Sequence, residues 1–191
     1  MSAPVTYERS DFLADATHID MLWDKMPWVE NDGSVPRYET WMNDYALPYS
    51  YSRGDFARTY EAQPRWPTMV DHLRKVVNAV NNTAYDCCFV NGYAHGRQHL
   101  GWHADDSPEM DPAHPIAVIS FGAPREIWFR REPTDDLLVK FYTAPQRQLL
   151  ENGSILTMLP GMQQAWKHRI PKSSDANCGR RISLTLRKLV R

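Results

Sequence analysis

After Tyr85 the sequence becomes a succession of short segments rich in β-branched and aromatic residues, separated by turn signals. Such segments are typical of strands. They are Asp86–Tyr93, Ile116–Phe121, Glu126–Arg130, Leu137–Tyr142, Arg147–Leu150, Ser154–Leu159, Gln164–His168 and Arg181–Lys188. The pair Asn152-Gly153 favours a tight hairpin. Short strands in this number, preceded by helices, predict an α+β fold in which a sandwich or jelly roll is buttressed by helices on one face.

Two helices are expected before these strands. The first runs from about Asp11 to Met26, where apolar residues recur at helical spacing. The second runs from Trp66-Pro67 to about Asn81, with proline at the first helical position. No repeat or linker divides the chain, and 191 residues suffice for one well-filled domain. We therefore expect a single domain over residues 1–191.

The stretch between Trp28 and Trp66 is rich in aromatic residues that follow no helical period and are interrupted by prolines and glycines. Two interpretations are open. Residues 28–66 can form a loop-rich cap packed on the core, or a substrate lid that offers flat faces for stacking.

His103 and Asp105 are the first candidates for a metal site. In an extended segment, positions two apart project to the same face. His168, from a distant segment, would complete a facial triad of two histidines and one carboxylate, which leaves positions open as in non-haem Fe(II) oxygenases. His-x-Asp alone is a weak signal. His99 and His103, four apart, could instead bind zinc from a helix, although neighbouring glycines and prolines disfavour a helix there.

The C-terminal segment Arg181–Arg187 alternates strictly between apolar and polar residues, so its apolar side chains share one face and its polar side chains the other. The polar face can be an ordinary solvent face. It can also be the interior of a barrel, where Arg181 and Arg187 meet anions. Because guanidinium pairs bidentately with carboxylates, the second interpretation suits 2-oxoglutarate, which has two.

In this combination the motifs resemble the AlkB family of Fe(II)/2-oxoglutarate-dependent nucleic-acid dealkylases. The matching segments occur in the family's order: Asn91-Gly92-Tyr93, His103-Ala104-Asp105-Asp106, Ile119–Ala123, Gly153-Ser154, His168-Arg169 and Arg181–Arg187. The resemblance covers the chain from about Asn91 to its C-terminus. A weaker match covers Val35-Pro36-Arg37 and Ala46–Ser52, and looks like the nucleotide-recognition region of the branch that acts on duplex DNA.

The resemblance implies a double-stranded β-helix and assigns roles to individual residues. The residues implied to hold iron, and so to be catalytic, are His103, Asp105 and His168. The residues implied to bind 2-oxoglutarate are Asn91, Tyr93, Arg181, Ser183 and Arg187. The residues implied to contact the substrate are Arg37, Tyr49, Tyr51 and Asp106. Within these sets Arg181 would pair with the distal carboxylate of 2-oxoglutarate, and Tyr51 would stack on a base flipped from the helix.

The activity implied is oxidative removal of N-alkyl groups from nucleobases in DNA or RNA, with release of an aldehyde, succinate and CO2. Two positions depart from the family's pattern. Ser183 stands where asparagine is usual, and Ser107 stands where the duplex-acting branch has an acidic residue. Asp106 has a second interpretation, as a group that orients a metal ligand.

The expected partner is alkylated nucleic acid, with no membrane and a monomeric chain. A net charge of −1 excludes a globally basic surface, so contacts to phosphate would come from a local patch. Candidates are Arg53, Arg58, Arg65, Arg125, Arg130, Arg131, Lys188 and Arg191. The N-terminus does not resemble a signal peptide, and three cysteines fit neither a disulfide framework nor a CxxC metal site. We expect an intracellular, cytoplasmic protein.

Two rival functions remain open from the residues. One is an Fe(II)/2-oxoglutarate hydroxylase that acts on a protein, a small molecule or an unalkylated base. The other is a non-catalytic nucleic-acid binder whose metal is structural. The iron and cosubstrate residues would be the same in the hydroxylase, so only the residues of the substrate region discriminate it.

Overall fold

The computed structural model describes residues 2–29, 33–53, 56–132 and 144–191, which form twelve strands and three helices. The strands are β1 (Val5–Arg9), β2 (Tyr38–Asn43), β3 (Tyr49–Arg53), β4 (Phe56–Tyr60), β5 (Cys87–Tyr93), β6 (Leu100–His103), β7 (Ile116–Gly122), β8 (Arg125–Arg131), β9 (Gln146–Leu150), β10 (Ser154–Met158), β11 (Trp166–Ile170) and β12 (Arg181–Arg187). The helices are α1 (Thr17–Lys25), α2 (Thr68–Asn81) and α3 (Met162–Ala165).

Ten of the twelve strands form two antiparallel sheets that face each other. The large sheet has the order β1-β10-β7-β12-β5-β2, and the small sheet has the order β6-β11-β8-β9. A buried apolar cluster joins them, with Val118 and Leu156 from the large sheet against Ile127, Phe129 and Trp166 from the small sheet. The predicted double-stranded β-helix is therefore confirmed.

The outer face of the large sheet is covered by α1 and α2. Leu22 of α1 and Val70, Leu73 and Val77 of α2 pack in one buried cluster with the apolar residues Ile182, Leu184 and Leu186 of β12. The predicted buttressing helices are thus confirmed. Since the apolar face of β12 meets these helices, its polar face must point into the space between the two sheets.

Both helices begin later than the sequence predicts. Residues 11–14 form a turn, and α1 starts at Thr17, whose backbone N–H donates to Asp15 Oδ1 at 2.8 Å. Such a side-chain acceptor satisfies an otherwise orphaned donor at a helix start. Pro67 precedes α2 and is not its first residue. At the other end, left-handed Asn82 (φ 51°) donates its N–H to Asn78 O and stops the helix.

The described residues between 28 and 66 include three strands in addition to loops. β2 is an edge strand of the large sheet, paired with β5 over its full length. β3 and β4 pair with each other as a separate two-stranded sheet. Trp28 packs between Trp23 and Tyr38 and approaches the sheet so closely that a Cβ on Gly92 would lie 2.5 Å from its indole.

Two local expectations were wrong, and one falls outside the described residues. Gly153, at φ +75°, turns the chain from β9 in the small sheet to β10 in the large sheet, so Asn152-Gly153 does not close a hairpin. Part of the predicted strand Gln164–His168 is helical, because α3 runs to Ala165 before β11 begins. The predicted strand Leu137–Tyr142 lies outside the described residues. No described helix is long and apolar enough to cross a membrane.

Candidate active site

The two predicted metal histidines lie side by side at the edge of the small sheet. His103 is the last residue of β6 and pairs directly with His168 of β11. Asp105 follows β6 by two residues. Its Oδ1 lies 3.6 Å from His103 Nε2 and its Oδ2 lies 3.9 Å from His168 Nε2. One ligand atom from each residue falls within 4.8 Å of the others. The three ligand atoms therefore lie around a common point at which they can share one metal ion.

Neighbouring groups fix the orientation of these ligands. His103 Nδ1 donates to Gly101 O at 2.9 Å, which leaves Nε2 as the free lone pair facing Asp105. The backbone N–H of Asp105 donates to Gln163 Oε1 at 2.9 Å. Arg187 of β12 donates from Nη2 to Asp105 Oδ1 at 2.6 Å. The carboxylate is therefore held from the opposite sheet.

The charges of the site suit a divalent cation. Burial lowers the pKa of His103, and burial together with the neighbouring His103 lowers that of His168 to about 3. Burial by itself would raise the pKa of Asp105, but Arg187 and the two histidines outweigh it, and the pKa lies below its ordinary value. Two neutral imidazoles and one carboxylate are the donor set of a non-haem Fe(II) centre.

The zinc alternative is wrong, because residues 100–103 form a strand and place His99 away from the cluster. Among the described residues, His103, Asp105 and His168 are the one group of three or more acidic, histidine or cysteine side chains that can share a metal. His114 is used elsewhere, since its Nε2 accepts the backbone N–H of Ala84 at 3.0 Å.

A second buried cation lies deeper between the sheets. Arg181, fully buried, donates from Nη2 to Ser120 Oγ at 3.0 Å and lies over the ring of Tyr93. Its Nε and Nη1 are buried without a hydrogen-bond partner. On the same ring lies Arg125, whose Nη2 donates to the carbonyls of Gln98 and Pro171 and whose Nη1 is also unpartnered. Orphaned guanidinium donors of this kind call for an anion, so the residues present fit a dicarboxylate cosubstrate.

Along the paired strands β5 and β12, Asn91 and Ser183 lie between the positions of Arg181 and Arg187. They pair across β5 and β12, and Ser183 pairs on its other side with Ser120 of β7. All three are buried. Asn91 Oδ1 accepts from Arg37 Nε at 2.8 Å. This polar row therefore links the cosubstrate position to Arg37 on the substrate side. Ser183 therefore lies beside Ser120, whose Oγ accepts the hydrogen bond from Arg181.

The substrate-side cavity opens directly onto the metal ligands. It has a volume of about 250 Å³ and is walled by aromatic rings together with charged and apolar side chains. The lining residues that matter here are Arg37, Glu39, Tyr49, Tyr51, Tyr60, Phe89, Trp102, His103, Asp105 and Arg187. Tyr51 from β3 and Tyr60 from β4 bring the hairpin to this cavity. Within residues 28–66, the β3–β4 hairpin is the part that fits the lid interpretation. Its role as a substrate lid stays a prediction.

Glu39 and Tyr60 form a buried charged network that the sequence did not reveal. Tyr60 Oη donates to Glu39 Oε2 at 2.6 Å, and Glu39 also pairs with Arg37 and, at 3.9 Å, with Arg58. Burial and the facing carboxylate raise the pKa of Tyr60. An acidic residue inside a strand of the large sheet gives no distinctive sequence signal, because its partners come from β4 and from the segment before β2.

Tyr49 and Asp106, two predicted substrate residues, line different cavities. Tyr49 is buried, its hydroxyl is hydrogen-bonded to Ser107 Oγ at 2.8 Å, and it lines the substrate-side cavity; its contact with substrate stays a prediction. Asp106 is exposed and lines a separate cavity of about 230 Å³ beside Asp105. Arg125, named as a phosphate contact, is buried and does not face solvent.

Comparisons with known proteins agree with this geometry. Residues 21–187 match the family described as the 2OG-Fe(II) oxygenase superfamily. The DNA oxidative demethylase ALKBH2 of mouse is 32% identical over 82% of this chain and 63% of its own length. The human alpha-ketoglutarate-dependent dioxygenase alkB homolog 3 is 27% identical over 96% of this chain and 63% of its own length. The solved structure of OsALKBH1 superposes with a TM-score of 0.60 at 16% identity, covering 98% of this chain and 99% of that one. The chain spans about three fifths of the length of the curated relatives it matches.

Proposed function

Because the chain belongs to the 2OG-Fe(II) oxygenase superfamily, whose cofactors are Fe(II) and 2-oxoglutarate, we propose that it oxidatively removes N-alkyl groups from nucleobases in DNA or RNA. The products are an aldehyde, succinate, CO2 and the unmodified base. Support for this substrate class comes from relatives named as a DNA oxidative demethylase and from the shape of the cavity next to the metal ligands.

In this proposal His103, Asp105 and His168 hold Fe(II). When bound, the metal would enable oxygen to oxidise the alkyl carbon together with 2-oxoglutarate. Arg181 holds the distal carboxylate of 2-oxoglutarate through the donors that are unpartnered in the structure. Arg187 keeps Asp105 ionised and fixed. Tyr93 and Arg125 wall the cosubstrate position and exclude water from it.

The cavity beside His103 is the observation that carries the nucleobase assignment. Its volume of about 250 Å³ lies below the roughly 300–1,000 Å³ of sites for drug-sized ligands, so it fits one planar ring system. Tyr51 lines the cavity with an aromatic ring, and Arg37 and Glu39 line it with a cation and a carboxylate, the types of group that contact a base face and a base edge. An enzyme that acts on a base inside a duplex must flip it into such a pocket.

The test is anaerobic reconstitution with Fe(II), followed by oxygen, 2-oxoglutarate and oligonucleotides that carry N-methylated bases. Succinate and formaldehyde should form in step with loss of the methyl group, and His103→Ala should abolish all three. Parallel single-stranded and duplex substrates, in DNA and in RNA, identify the natural strand. Turnover of 2-oxoglutarate with no consumption of any methylated nucleic acid would replace the proposal with a hydroxylase acting on a protein, a small molecule or an unalkylated base.

The proposed partner is accordingly an alkylated nucleic-acid strand. A monomeric state and an intracellular location remain predictions, to be checked by light scattering and by localisation of a tagged chain.

A further inference from the structure

The outer face of the small sheet carries an alternating stack of arginine and tryptophan side chains. We call it the arginine–tryptophan ladder and define it as Arg147, Trp128, Arg169, Trp102 and Arg130. Strand register creates it, because Trp128 of β8 pairs with Arg147 of β9 on one side and with Arg169 of β11 on the other. Trp102 of β6 lies beyond Arg169, next to the paired His103 and His168.

Distances show that the ladder is a continuous stack. The guanidinium carbon of Arg147 lies 4.2 Å from the centre of the Trp128 ring, and that of Arg169 lies 4.3 Å from the same ring. Arg169 also lies 4.7 Å from Trp102, and Arg130 lies 4.6 Å from Trp102. Cation–π contacts of this kind hold the guanidinium planes in place while their N–H edges remain available to a further ligand.

The face is locally basic on a chain whose net charge is −1. Lys167 lies two residues from Arg169 on β11 and so on the same face, but it is paired with Glu132 at 2.8 Å. Glu126 accepts a hydrogen bond from Trp128 Nε1 at 2.7 Å. Within the part of the chain that the structure describes, no carboxylate forms an ion pair with Arg130, Arg147 or Arg169. Burial, then the charges of Arg130 and Arg147, lower the pKa of Arg169. Among the described residues, three cations are thus crowded together without an ion-paired carboxylate.

The ladder begins at the substrate cavity. Trp102 lines that cavity and directly precedes the metal ligand His103. From there the ladder crosses four strands, which at about 4.8 Å between neighbours makes a span of roughly 14 Å. A nucleic-acid strand in helical form carries one phosphate per about 3.4 Å of its axis. A strand with one base in the cavity can therefore place several consecutive phosphates along the ladder.

We propose that the arginine–tryptophan ladder binds the sugar–phosphate backbone of the strand whose base enters the cavity. This inference rests on the proposed function for the identity of the strand. Arg130 of β8 and Arg147 of β9, which are both exposed, supply the charge. Arg169 lies between the Trp102 and Trp128 indoles and fixes the spacing of the stack. The tryptophan faces are already covered by arginine, so the ladder reads backbone charge and not base sequence.

The test measures binding of a fluorescent, unmethylated single-stranded oligonucleotide to the protein loaded with Mn(II) and 2-oxoglutarate, by anisotropy between 50 and about 300 mM salt. For single strands, log K falls with log salt by about 0.7 for each phosphate contact. The double variant Arg130→Gln/Arg147→Gln should reduce this slope by about 1.4 and weaken binding at low salt at least tenfold. The lysine double variant, Arg130→Lys/Arg147→Lys, should restore most of the slope, because it restores the charge.

Arg180→Gln is the matched control. Arg180 also stacks on a tryptophan, Trp23, at 5.2 Å and is half-exposed, but it belongs to the α1 side of the molecule. Its removal should leave the salt slope unchanged. Equal slopes for the wild type and the glutamine double variant, or equal losses in the double variant and the control, overturn the proposal. An acidic peptide of matched charge that competes as well as the oligonucleotide also overturns it, in favour of a protein ligand.

The assay needs no turnover, so its outcome is separate from that of the proposed function. If methylated bases are not consumed but the slope falls as expected, dealkylation fails and the ladder stands. If methylated bases are consumed and the slope is unchanged, the ladder fails and dealkylation stands.

Discussion

Replacement of Arg181 by methionine should stabilise the cofactor-free protein and abolish tight binding of 2-oxoglutarate. In the structure the guanidinium is fully buried with two unpartnered donors, and burial lowers its pKa from 12.5 to about 10. A shift of that size corresponds to about 3 kcal/mol against the charged form in the folded state. Methionine removes this cost and fills a similar volume.

Two favourable contacts are lost in the same substitution. The hydrogen bond from Nη2 to Ser120 contributes about 1 kcal/mol, and the stack on Tyr93 contributes about 1 kcal/mol more. The net expectation is that Arg181→Met raises the free energy of unfolding by about 1 kcal/mol. The assay is urea unfolding of the metal-free and cosubstrate-free protein, followed by tryptophan fluorescence.

The same substitution that raises the free energy of unfolding should weaken the affinity for 2-oxoglutarate. Loss of one partner from a buried charge pair costs about 2–5 kcal/mol, which is a factor of about 30 or more in Kd. Calorimetric titration of the Mn(II)-loaded protein measures this, and Mn(II) affinity itself should change less than threefold, since Arg181 contacts none of the metal ligands.

Arg125→Met is the matched control, because Arg125 is buried on the same Tyr93 ring. Its Nη2 donates to two backbone carbonyls, so its loss leaves buried acceptors unsatisfied and should destabilise the protein by about 2 kcal/mol. If Arg181→Met is destabilised as much as Arg125→Met, or loses metal and cosubstrate together, Arg181 supports the fold and the cosubstrate assignment is refuted.

Three further perturbations have defined outcomes. The pKa of His168 is lowered to about 3 and those of His103 and Asp105 are also lowered, so protons compete poorly with a metal for these ligands. The affinity for Co(II), followed by absorbance, should therefore change less than threefold between pH 8 and pH 6. A tenfold fall in affinity per pH unit would contradict these pKa shifts. Glu39→Gln leaves Arg37 and Arg58 without their buried carboxylate and should lower the free energy of unfolding by about 3 kcal/mol, whereas Tyr60→Phe, which loses one hydrogen bond, should lower it by about 1 kcal/mol; equal effects would mean that the charge is not what matters. Gly92→Ala drives a methyl group into the Trp28 indole and should cost about 1–3 kcal/mol with a red shift in tryptophan emission; an unchanged spectrum would show that Trp28 yields without exposure.

The sequence predicted the parts of the fold that have a clear periodicity. The alternation of Arg181–Arg187 was sufficient to separate the face that packs on helices from the face that carries the buried arginines. By contrast, β2 was missed because it is buried on both faces and carries Glu39 inside, which breaks the alternating pattern. β6 was missed because its four residues include a glycine and are too short to show a period.

The site was predictable as far as residue types and order determine chemistry. His103, Asp105 and His168 are brought together as the spacing and the resemblance implied. The sequence could not show which charged side chains meet in the folded chain. Arg187 pairs with Asp105 across the gap between the sheets, and the register of β8, β9 and β11 places Arg147 and Arg169 against the Trp128 indole. Neither relation follows from separation along the chain.

The opposing faces of β12 also determine how such a protein can change. Ile182, Leu184 and Leu186 pack against α1 and α2, whereas Arg181, Ser183 and Arg187 are buried on the face that points between the two sheets. Substitutions at the even-numbered positions of β12 should therefore change mainly the thermal stability of the protein, and those at the odd-numbered positions mainly its ligand specificity. A library restricted to the odd positions of β12 and to the hairpin of β3 and β4 would explore new chemistry while leaving the helix-covered core of the fold untouched.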